Sequence, residues 1–203
     1  MVASLRAAAP RDLAPAMHPA PAPPPAHPVS PAVWLASVAG FALLMAVCAR
    51  IAIPMVPVPM TLQTWAVLLA GAALGPVRGM AAVSLYLITA MAGLPVLADG
   101  ASGLVAFSGP TAGYLIAFVP AAGLAGGASA HGRLTRCLPA IGWMIGLHLL
   151  ILAVGAAWLA LDIGAGLALE HGVLPFLPGV VLKSVLVVAA VQALARLARF
   201  RRA

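Results

Sequence analysis

The stretch Asp99-Gly-Ala-Ser-Gly-Leu-Val-Ala-Phe-Ser-Gly-Pro-Thr-Ala-Gly-Tyr-Leu-Ile-Ala-Phe118 joins a half rich in glycine and serine to an apolar half. The first half is too polar to cross a membrane, whereas the second continues from Gly113 into a long segment without charges. We therefore predict a loop that leads onto the start of a membrane helix. Its glycines allow the backbone to approach a ligand, and free N–H groups at a helix start suit a polar or anionic group. A plain connector between two helices is the alternative interpretation.

The composition of the whole chain is that of an integral membrane protein. Of its 203 residues, 64% are hydrophobic and 7% are charged, and the mean hydropathy is +1.10. Soluble domains carry about 25% charged residues. Because a span needs about 20 residues, the chain has room for about six or seven helices. We predict an all-α fold, a compact bundle of six transmembrane helices.

Prolines, glycines and charges separate the apolar segments and so define the predicted domains and spans. We predict a disordered Pro/Ala-rich cytoplasmic tail at 1–31, a six-helix membrane domain at 32–198 and a basic cytoplasmic tail at 199–203. The six spans are predicted at about 32–49, 60–74, 77–92, 113–130, 138–161 and 178–197. The second and third are short for a bilayer. Cys48 and Cys137 fall in different spans near opposite faces, so we expect no disulfide.

The positions of the arginines predict the orientation in the membrane. With a cytoplasmic N-terminus, nine arginines lie inside and only Arg50 lies outside. The same orientation places both termini in the cytoplasm and puts Asp99, Asp162 and Glu170 outside. Because the basic residues lie in tails and short loops, the net charge of +7 indicates topology and not nucleic-acid binding.

Polar and aromatic residues of the spans converge on the outer end of the predicted bundle. These residues are Thr61, Gln63, Tyr86, Tyr114, Trp158 and Lys183. Three outer connections, around 51–59, 93–112 and 162–177, cover the same region, and long loops over a compact bundle are usually functional. We predict a ligand pocket that is open to the outside or capped from there.

Lys183 is the only lysine of the chain. A cation within a span is a functional candidate, and near a pocket it would attract a carboxylate. The alternative is a side chain that snorkels to the outer interface. The pair Lys183-Ser184 ends like a phosphate-binding loop, but Leu177 and Leu182 stand where that motif requires glycine. His148 is either a proton relay or a histidine hydrogen-bonded to a neighbouring helix.

The other polar candidates also have two interpretations each. Thr61 can cap the start of a helix or contact a ligand, and the buried amide of Gln63 must find partners, in the protein or in a ligand. Tyr86, Tyr114 and Trp158 can belong to the interfacial aromatic belt or to the pocket.

Two further patterns concern association and chemistry. Ala42 and Ala46 lie four residues apart in the first span, a small-xxx-small pattern that lets another helix approach closely. No metal-ligand cluster, Ser-His-Asp order or pair of carboxylates in one span stands out in the sequence. We therefore expect neither an enzyme nor a bound cofactor or metal.

Several motifs occur in a fixed order between about residues 32 and 195. They are Ile53-Pro…Pro57-Val-Pro-Met-Thr-Leu-Gln-Thr64, Leu69-Ala-Gly-Ala-Ala-Leu-Gly-Pro76, Gly93-Leu-Pro-Val96, Gly109-Pro-Thr-Ala-Gly-Tyr-Leu-Ile116, Gly155-Ala-Ala-Trp-Leu159 and Leu174-Pro-Phe-Leu-Pro-Gly179 followed by Lys183. In these motifs the chain resembles the BioY family, the biotin-binding membrane (S) components of energy-coupling factor (ECF) transporters. It departs from the family pattern at Val180, where an acidic residue is expected.

The resemblance implies a function, a site and partners. It implies a multi-pass protein of the bacterial cytoplasmic (inner) membrane that binds biotin near the outer face and delivers it to the cytoplasm. The implied biotin contacts are Thr61, Gln63, Tyr86, Asp99, Gly113, Tyr114, Trp158 and Lys183. The implied partners are a transmembrane coupling (T) subunit, which docks at Ala42 and Ala46, and two ATPase subunits. Self-association stays open, and the alternatives are an S component for another vitamin, such as thiamine, or a membrane scaffold without a solute.

Overall fold

The computed structural model of the chain describes residues 30–200. Residues 1–29 of the predicted N-terminal tail and 201–203 of the basic tail lie outside this range. Of the predicted tail, Ser30 and Pro31 are described, and they start the first helix. The Ser30 hydroxyl accepts a hydrogen bond from the backbone N–H of Val33, while Pro31 occupies the first turn, where no N–H is needed.

Seven helices and a two-stranded hairpin make up the described fold. The helices are α1 (Pro31–Ala49), α2 (Gln63–Leu74), α3 (Pro76–Met91), α4 (Ala112–Ala130), α5 (Cys137–Ile163), α6 (Ala165–Gly172) and α7 (Leu177–Phe200), and the strands are β1 (Ala52–Ile53) and β2 (Met60–Thr61). The six predicted spans correspond to α1 to α5 and α7, which confirms the all-α bundle of six membrane helices. The short helix α6 lies in the connection between the last two.

The predicted start of the second span was wrong. Met60 and Thr61 are not helical, because they pair antiparallel with Ile53 and Ala52 in the small hairpin. The helix therefore begins at Gln63, and the proline-rich segment between the strands is irregular, as predicted from its composition.

Helix α4 is the centre of the bundle. In the span of α4, 61% of the residues are buried inside the protein, compared with 28% in α1. Helix α4 packs against α2, α3 and α5, while α1 packs against α3 and α2, and α7 against α5 and α2. The central helix is therefore the element that positions the side chains of any site inside the bundle.

Within residues 30–200, four segments are long and apolar enough to cross a membrane. They are Pro31–Ala49, Ala112–Ala130, Cys137–Ile163 and Ala165–Ala198. Helices α2 and α3 are apolar but shorter, in agreement with their predicted lengths. They are joined by a tight turn in which Gly75 has a φ of +86°, a backbone conformation that favours glycine, and Pro76 starts α3.

Three glycines, Gly71, Gly79 and Gly126, form what we call the glycine seam between α2, α3 and α4. A Cβ atom at Gly71 would overlap the backbone of Ala122, and one at Gly126 would overlap the Gly75-Pro76 turn. A Cβ at Gly79 would meet the backbone of Gly71. The three helices are therefore in backbone contact here, and only glycine permits that distance.

At the end of the bundle where α2 begins, away from the glycine seam, the connections between the helices fold over the bundle. The loop between α3 and α4 contains two short 3-10 turns, and its Gly103 N–H donates to the Ala90 carbonyl at 2.8 Å. The guanidinium of Arg50 donates to the Pro95 carbonyl, which ties the same loop to the end of α1. This end of the bundle is thus covered by ordered polypeptide.

Candidate functional site

A cavity of ≈ 220 Å³ lies inside the bundle beneath these connections. Its wall is mostly apolar and comes from α2, α4, α5 and α7 and from all three connections that we predicted to cover the site. The lining residues are Val58, Pro59, Thr61, Gln63, Thr64, Leu97, Ala98, Asp99, Ala101, Thr111, Tyr114, Leu115, Phe118, His148, Ile151, Leu152, Phe176, Val180 and Lys183. The predicted convergence of the spans and loops on one pocket is therefore present in the fold.

Lys183 is a buried cation on the cavity wall. Its side chain is 7% exposed, and its Nζ donates a hydrogen bond to the backbone carbonyl of Thr61 at 3.1 Å. The side chain is buried and bonded to β2, so the snorkelling alternative does not fit its position. An ammonium has three donors, and this bond uses one of them. Val180, one turn earlier on α7, is buried in the same wall and adds no charge there.

Gln63 stands at the start of α2 with its side chain buried in the wall. Its amide nitrogen donates to the Tyr86 hydroxyl at 2.7 Å, and that hydroxyl donates to the Val96 carbonyl at 3.0 Å. This chain connects α2 to α3 and to the loop that follows α3. It fixes the orientation of the amide, and the Gln63 side-chain oxygen accepts a hydrogen bond from the Thr61 hydroxyl at 3.5 Å.

The position of Thr61 is compatible with both interpretations that the sequence left open. Its hydroxyl accepts a hydrogen bond from the backbone N–H of Gln63 at 3.3 Å, at the start of α2. Its backbone carbonyl holds Lys183, and the residue lines the cavity. Thr61 therefore supports the first turn of the helix and also forms part of the wall.

Aromatic side chains form one side of the cavity. Tyr114 is 6% exposed, and its hydroxyl donates to the Gly172 carbonyl at 2.9 Å. The ring of Tyr114 lies 6.4 Å from that of Phe176, with 27° between the two planes. A Cβ atom at Gly155 would overlap the Tyr114 ring, so the ring lies directly on the backbone of α5. Tyr114 is thus a wall residue and not part of an interfacial belt.

Three of the predicted contacts lie behind the wall and not on it. Tyr86 supports Gln63 from behind, with 1% of its surface exposed. Gly113 gives α4 its close approach to α5, because a Cβ there would overlap the Cβ of Trp158. The indole N–H of Trp158 donates to the Gly109 carbonyl at 3.1 Å and so holds the loop that precedes α4. Asp99, by contrast, lies on the wall, with a φ of +54°.

His148 faces the cavity from α5 and is 2% exposed. Its Nδ1 lies 2.9 Å from the Ser184 hydroxyl on α7 and 3.0 Å from the Met144 carbonyl. The predicted hydrogen bond to a neighbouring helix is thus confirmed. The sequence did not indicate that this histidine also lines the cavity.

Other wall residues were missed by the sequence reasoning. Thr64 ends a motif that was singled out, and Phe176 lies within another, but neither was assigned a role. Phe118 lies one helical turn after Tyr114, and this spacing could have indicated that it shares the same face of α4.

The two predicted docking residues on α1 differ in exposure. Ala42 is 9% exposed and lies against the bundle, whereas Ala46 is partly exposed.

The arrangement suits an amphipathic small molecule. Apolar and aromatic side chains make up most of the wall, and a few polar groups from Lys183, Gln63, Thr61 and Asp99 are placed around it. Such a cavity can bind and orient a ligand by a small number of hydrogen bonds.

Comparison with known proteins gives one consistent family. The model of the BioY family matches residues 24–200. A probable biotin transporter BioY of Pyrococcus horikoshii is 38% identical over 140 residues, which cover 69% of this chain and 82% of that protein. The biotin transporter BioY of Rhodobacter capsulatus is 40% identical over 151 residues, covering 66% of this chain and 78% of that protein.

A solved structure resembles the fold closely. It is the crystal structure of the S-component for biotin from an ECF-type ABC transporter, with a TM-score of 0.72 and 30% sequence identity. The match covers 81% of this chain and 92% of that one.

Proposed function

The chain belongs to the BioY family, and on that premise we propose that it is the biotin-binding S component of an ECF-type vitamin uptake transporter. It binds biotin from the outer side of the membrane and delivers it to the cytoplasm. The family is one of transport proteins, and the protein is not an enzyme. The observation that carries the proposal is the mostly apolar cavity with the buried ammonium of Lys183 on its wall, to which the motif segments also contribute Gln63 and Tyr114.

Biotin has an apolar bicyclic body, a ureido group at one end and a carboxylate at the other. The rings of Tyr114, Phe118 and Phe176 supply flat apolar surface for the bicycle. The carboxylate pairs with the free donors of Lys183 or with N–H groups of the loop before α4, because an anion needs a cation or several donors when it leaves water. Arg50 is already engaged by the Pro95 carbonyl and lies outside the wall.

Direct binding tests the proposal. We expect the purified protein in detergent or nanodiscs to bind biotin with measurable heat in isothermal titration calorimetry and to retain labelled biotin during gel filtration. Thiamine serves as the control vitamin and is expected to give no heat. Binding of thiamine without biotin would assign the protein to another vitamin, and binding of neither would favour a scaffold.

We further propose that the protein works with a transmembrane coupling subunit and two ATPase subunits in the bacterial cytoplasmic membrane. Support comes from the ECF-type transporter to which the similar solved structure belongs. Helix α1 is the candidate docking element, because Leu43 and Val47 on it are exposed beside the partly exposed Ala46. An Ala46→Phe variant is expected to lose biotin uptake in cells while binding of biotin by the purified protein is unchanged. Unchanged uptake would exclude Ala46 from the docking surface.

The proposed orientation places both termini in the cytoplasm, in accordance with the distribution of arginines. Cys137 at the start of α5 is exposed, whereas Cys48 is buried, and both thiols are free. A membrane-impermeant maleimide is therefore expected to label Cys137 in inverted vesicles and not in right-side-out spheroplasts. The Cys137→Ser variant is the matched control, and the reverse pattern of labelling would overturn the orientation.

A further inference from the structure

A second concave region lies on the surface of α5, apart from the cavity inside the bundle. It is an open groove of ≈ 480 Å³, which we call the α5 groove, and its lining residues are Pro139, Gly142, Trp143, Gly146, Leu147 and Leu150. These residues are different from those that line the cavity. A Cβ atom at Gly142 or at Gly146 would meet no atom within 4 Å, so the two glycines leave this part of the helix surface open.

The length of the α5 groove matches one leaflet of a bilayer. Pro139 lies in the first turn of α5, and Leu150 lies in the middle of the helix. With a rise of 1.5 Å per residue, the groove extends about 16 Å along the helix axis. This is about half of the 30 Å hydrocarbon layer. An apolar groove of this length can therefore hold a single acyl chain of a lipid.

Positive charge stands at one end of the α5 groove. The guanidinium carbon of Arg133 lies over the ring of Trp143, 4.6 Å from its centroid. Trp143 itself is 39% exposed and lines the groove. Arg136 directly precedes α5 and is also exposed. One cation is thus in contact with the groove lining, and a second stands at the start of the same helix.

The acidic residues within 30–200 lie at the other end of the bundle. Asp162 is near the end of α5, Glu170 is in α6, and Asp99 lines the cavity beneath the covering loops. This part of the protein therefore offers Arg133 no carboxylate at its own end. A guanidinium matches the geometry of a phosphate, with which it forms two parallel hydrogen bonds. The phosphate of a lipid headgroup lies at the membrane surface, where helix α5 begins.

We propose that the α5 groove and Arg133 bind an anionic phospholipid. One acyl chain lies along the groove, and the phosphate pairs with the Arg133 guanidinium, while Arg136 adds a second positive charge near the headgroup. Basic residues beside membrane helices attract anionic lipids in this way. The inference goes beyond the proposed function, because the groove and the cavity have separate lining residues and the lipid site does not depend on biotin.

The charges favour a lipid over a second copy of this chain as the occupant. Gly142 and Gly146 are four residues apart, a spacing at which two helices can pack closely. Two copies with the same orientation would, however, place Arg133 and Arg136 of both copies at the same end of a symmetric contact. Like charges brought together in this way repel. An anionic lipid neutralises them instead.

The test is native mass spectrometry of the full chain, purified in detergent and titrated with lipid. The probes are phosphatidylglycerol and phosphatidylcholine with the same acyl chains, which differ in net charge. We expect the wild-type protein to bind one phosphatidylglycerol about tenfold more tightly than phosphatidylcholine, because each arginine near a membrane surface contributes about 1 kcal/mol to the attraction of anionic lipid. Equal affinities for the two lipids would overturn the proposal, and this measurement needs no variant.

Two variants separate the contributions of charge and shape. Arg133→Gln is expected to weaken phosphatidylglycerol about fivefold and to leave phosphatidylcholine unchanged. The matched control is Arg196→Gln, an exposed arginine at the end of α7. Gly142→Leu fills the groove and is expected to weaken both lipids. Its control is Gly40→Leu on α1, where a Cβ also meets no atom within 4 Å.

The remaining outcomes are equally distinct. If Arg133→Gln binds phosphatidylglycerol as tightly as the wild type does, the headgroup site is wrong. A dimer that forms without added lipid and is lost in Gly142→Leu would assign the groove to a second copy and overturn the proposal. Binding of biotin, measured by calorimetry on the same preparations, is expected to be the same in the wild type and in both variants. Failure of the lipid site would therefore leave the proposed function standing, and the reverse also holds.

Discussion

The glycine seam and the cavity share helices α2 and α4, yet the helices are in backbone contact at the seam and enclose a space at the cavity. Helix α2 contributes Gly71 to the seam and Gln63 to the cavity, and α4 contributes Gly126 and Tyr114. At the seam the backbones touch. At the other end of the two helices, Gln63 and Tyr114 carry larger side chains, and these line the cavity. The size of the side chain along each helix therefore decides where the bundle can accept a ligand.

The two regions also differ in what holds them together. The seam depends on van der Waals contact between backbones, the main attraction that remains between helices surrounded by lipid. The cavity depends on hydrogen bonds that cross between elements, such as those from Tyr114 to Gly172 and from Lys183 to Thr61. Substitutions in the seam are thus expected to act on stability, and substitutions around the cavity on affinity.

The largest effect is expected for Gly126→Ala in the seam. The added Cβ would overlap the backbone of Gly75 and Pro76, which cannot move aside as a flexible side chain can. We expect a loss of about 3 kcal/mol of stability, seen as a lower midpoint of thermal unfolding and a smaller monodisperse peak in gel filtration. The control is Gly146→Ala on α5, where a Cβ meets no atom within 4 Å, so better helix propensity should stabilise the protein by up to about 1 kcal/mol. Equal thermal stability of the two variants would show that the helices are not in backbone contact at Gly126.

The next largest effect is expected for Lys183→Met at the cavity. The apolar side chain has a similar length but no donors, so the carboxylate of biotin loses its charged partner. We expect the affinity for biotin to fall about 10- to 100-fold, measured by calorimetry, with little change in thermal stability. Leu182→Met, at an exposed neighbouring position, should bind as the wild type does. An unchanged affinity of Lys183→Met would remove the lysine from the site.

A smaller effect is expected for Gly155→Ala, which adds a Cβ at a close contact of the cavity wall, as Gly126→Ala does in the seam. The new Cβ would displace the Tyr114 ring and weaken the hydrogen bond between its hydroxyl and the Gly172 carbonyl. We expect the affinity for biotin to fall about tenfold, through loss of aromatic contact and of one hydrogen bond. Equilibrium binding of labelled biotin measures the affinity of the variant. If affinity is retained, the Tyr114 ring is not part of the binding surface.

The smallest effect is expected for Tyr86→Phe behind the wall. The variant removes the hydroxyl between Gln63 and the Val96 carbonyl but keeps the ring. We expect stability to fall by about 1 kcal/mol, with a decrease in biotin affinity of no more than about threefold. Thermal unfolding and calorimetry on the same preparation measure both. A larger loss of affinity than of stability would mean that Tyr86 contacts the ligand directly.

Most boundaries of the fold could be predicted from the sequence because they are marked by residues with a local effect. Gly75 and Pro76 end one helix and begin the next, as their backbone preferences require. The exception is the start of α2. Met60 and Thr61 look like the beginning of an apolar helix, but they pair with residues seven and nine positions earlier, and that pairing depends on tertiary structure.

The site was predictable as a region and less so as a set of contacts. Polar and aromatic residues are few at the ends of these apolar helices, and for this reason Lys183, Gln63 and Tyr114 could be recognised. Whether such a residue lies on the wall or behind it depends on the rotation of its helix, and for this reason Trp158 could not be placed from the sequence. The glycine seam could not be found either, because the chain has 20 glycines and their spacing carries little information.

The loop between α3 and α4 is fastened on both sides. Arg50 at the end of α1 holds it near its beginning, and Trp158 of α5 holds it near its end. Movement of this loop away from the cavity therefore requires that the bond to Arg50 or the bond to Trp158 breaks. Substitution of Arg50 or Trp158 is thus expected to change how fast a ligand enters and leaves the cavity more than how tightly it binds, because neither side chain lines the wall.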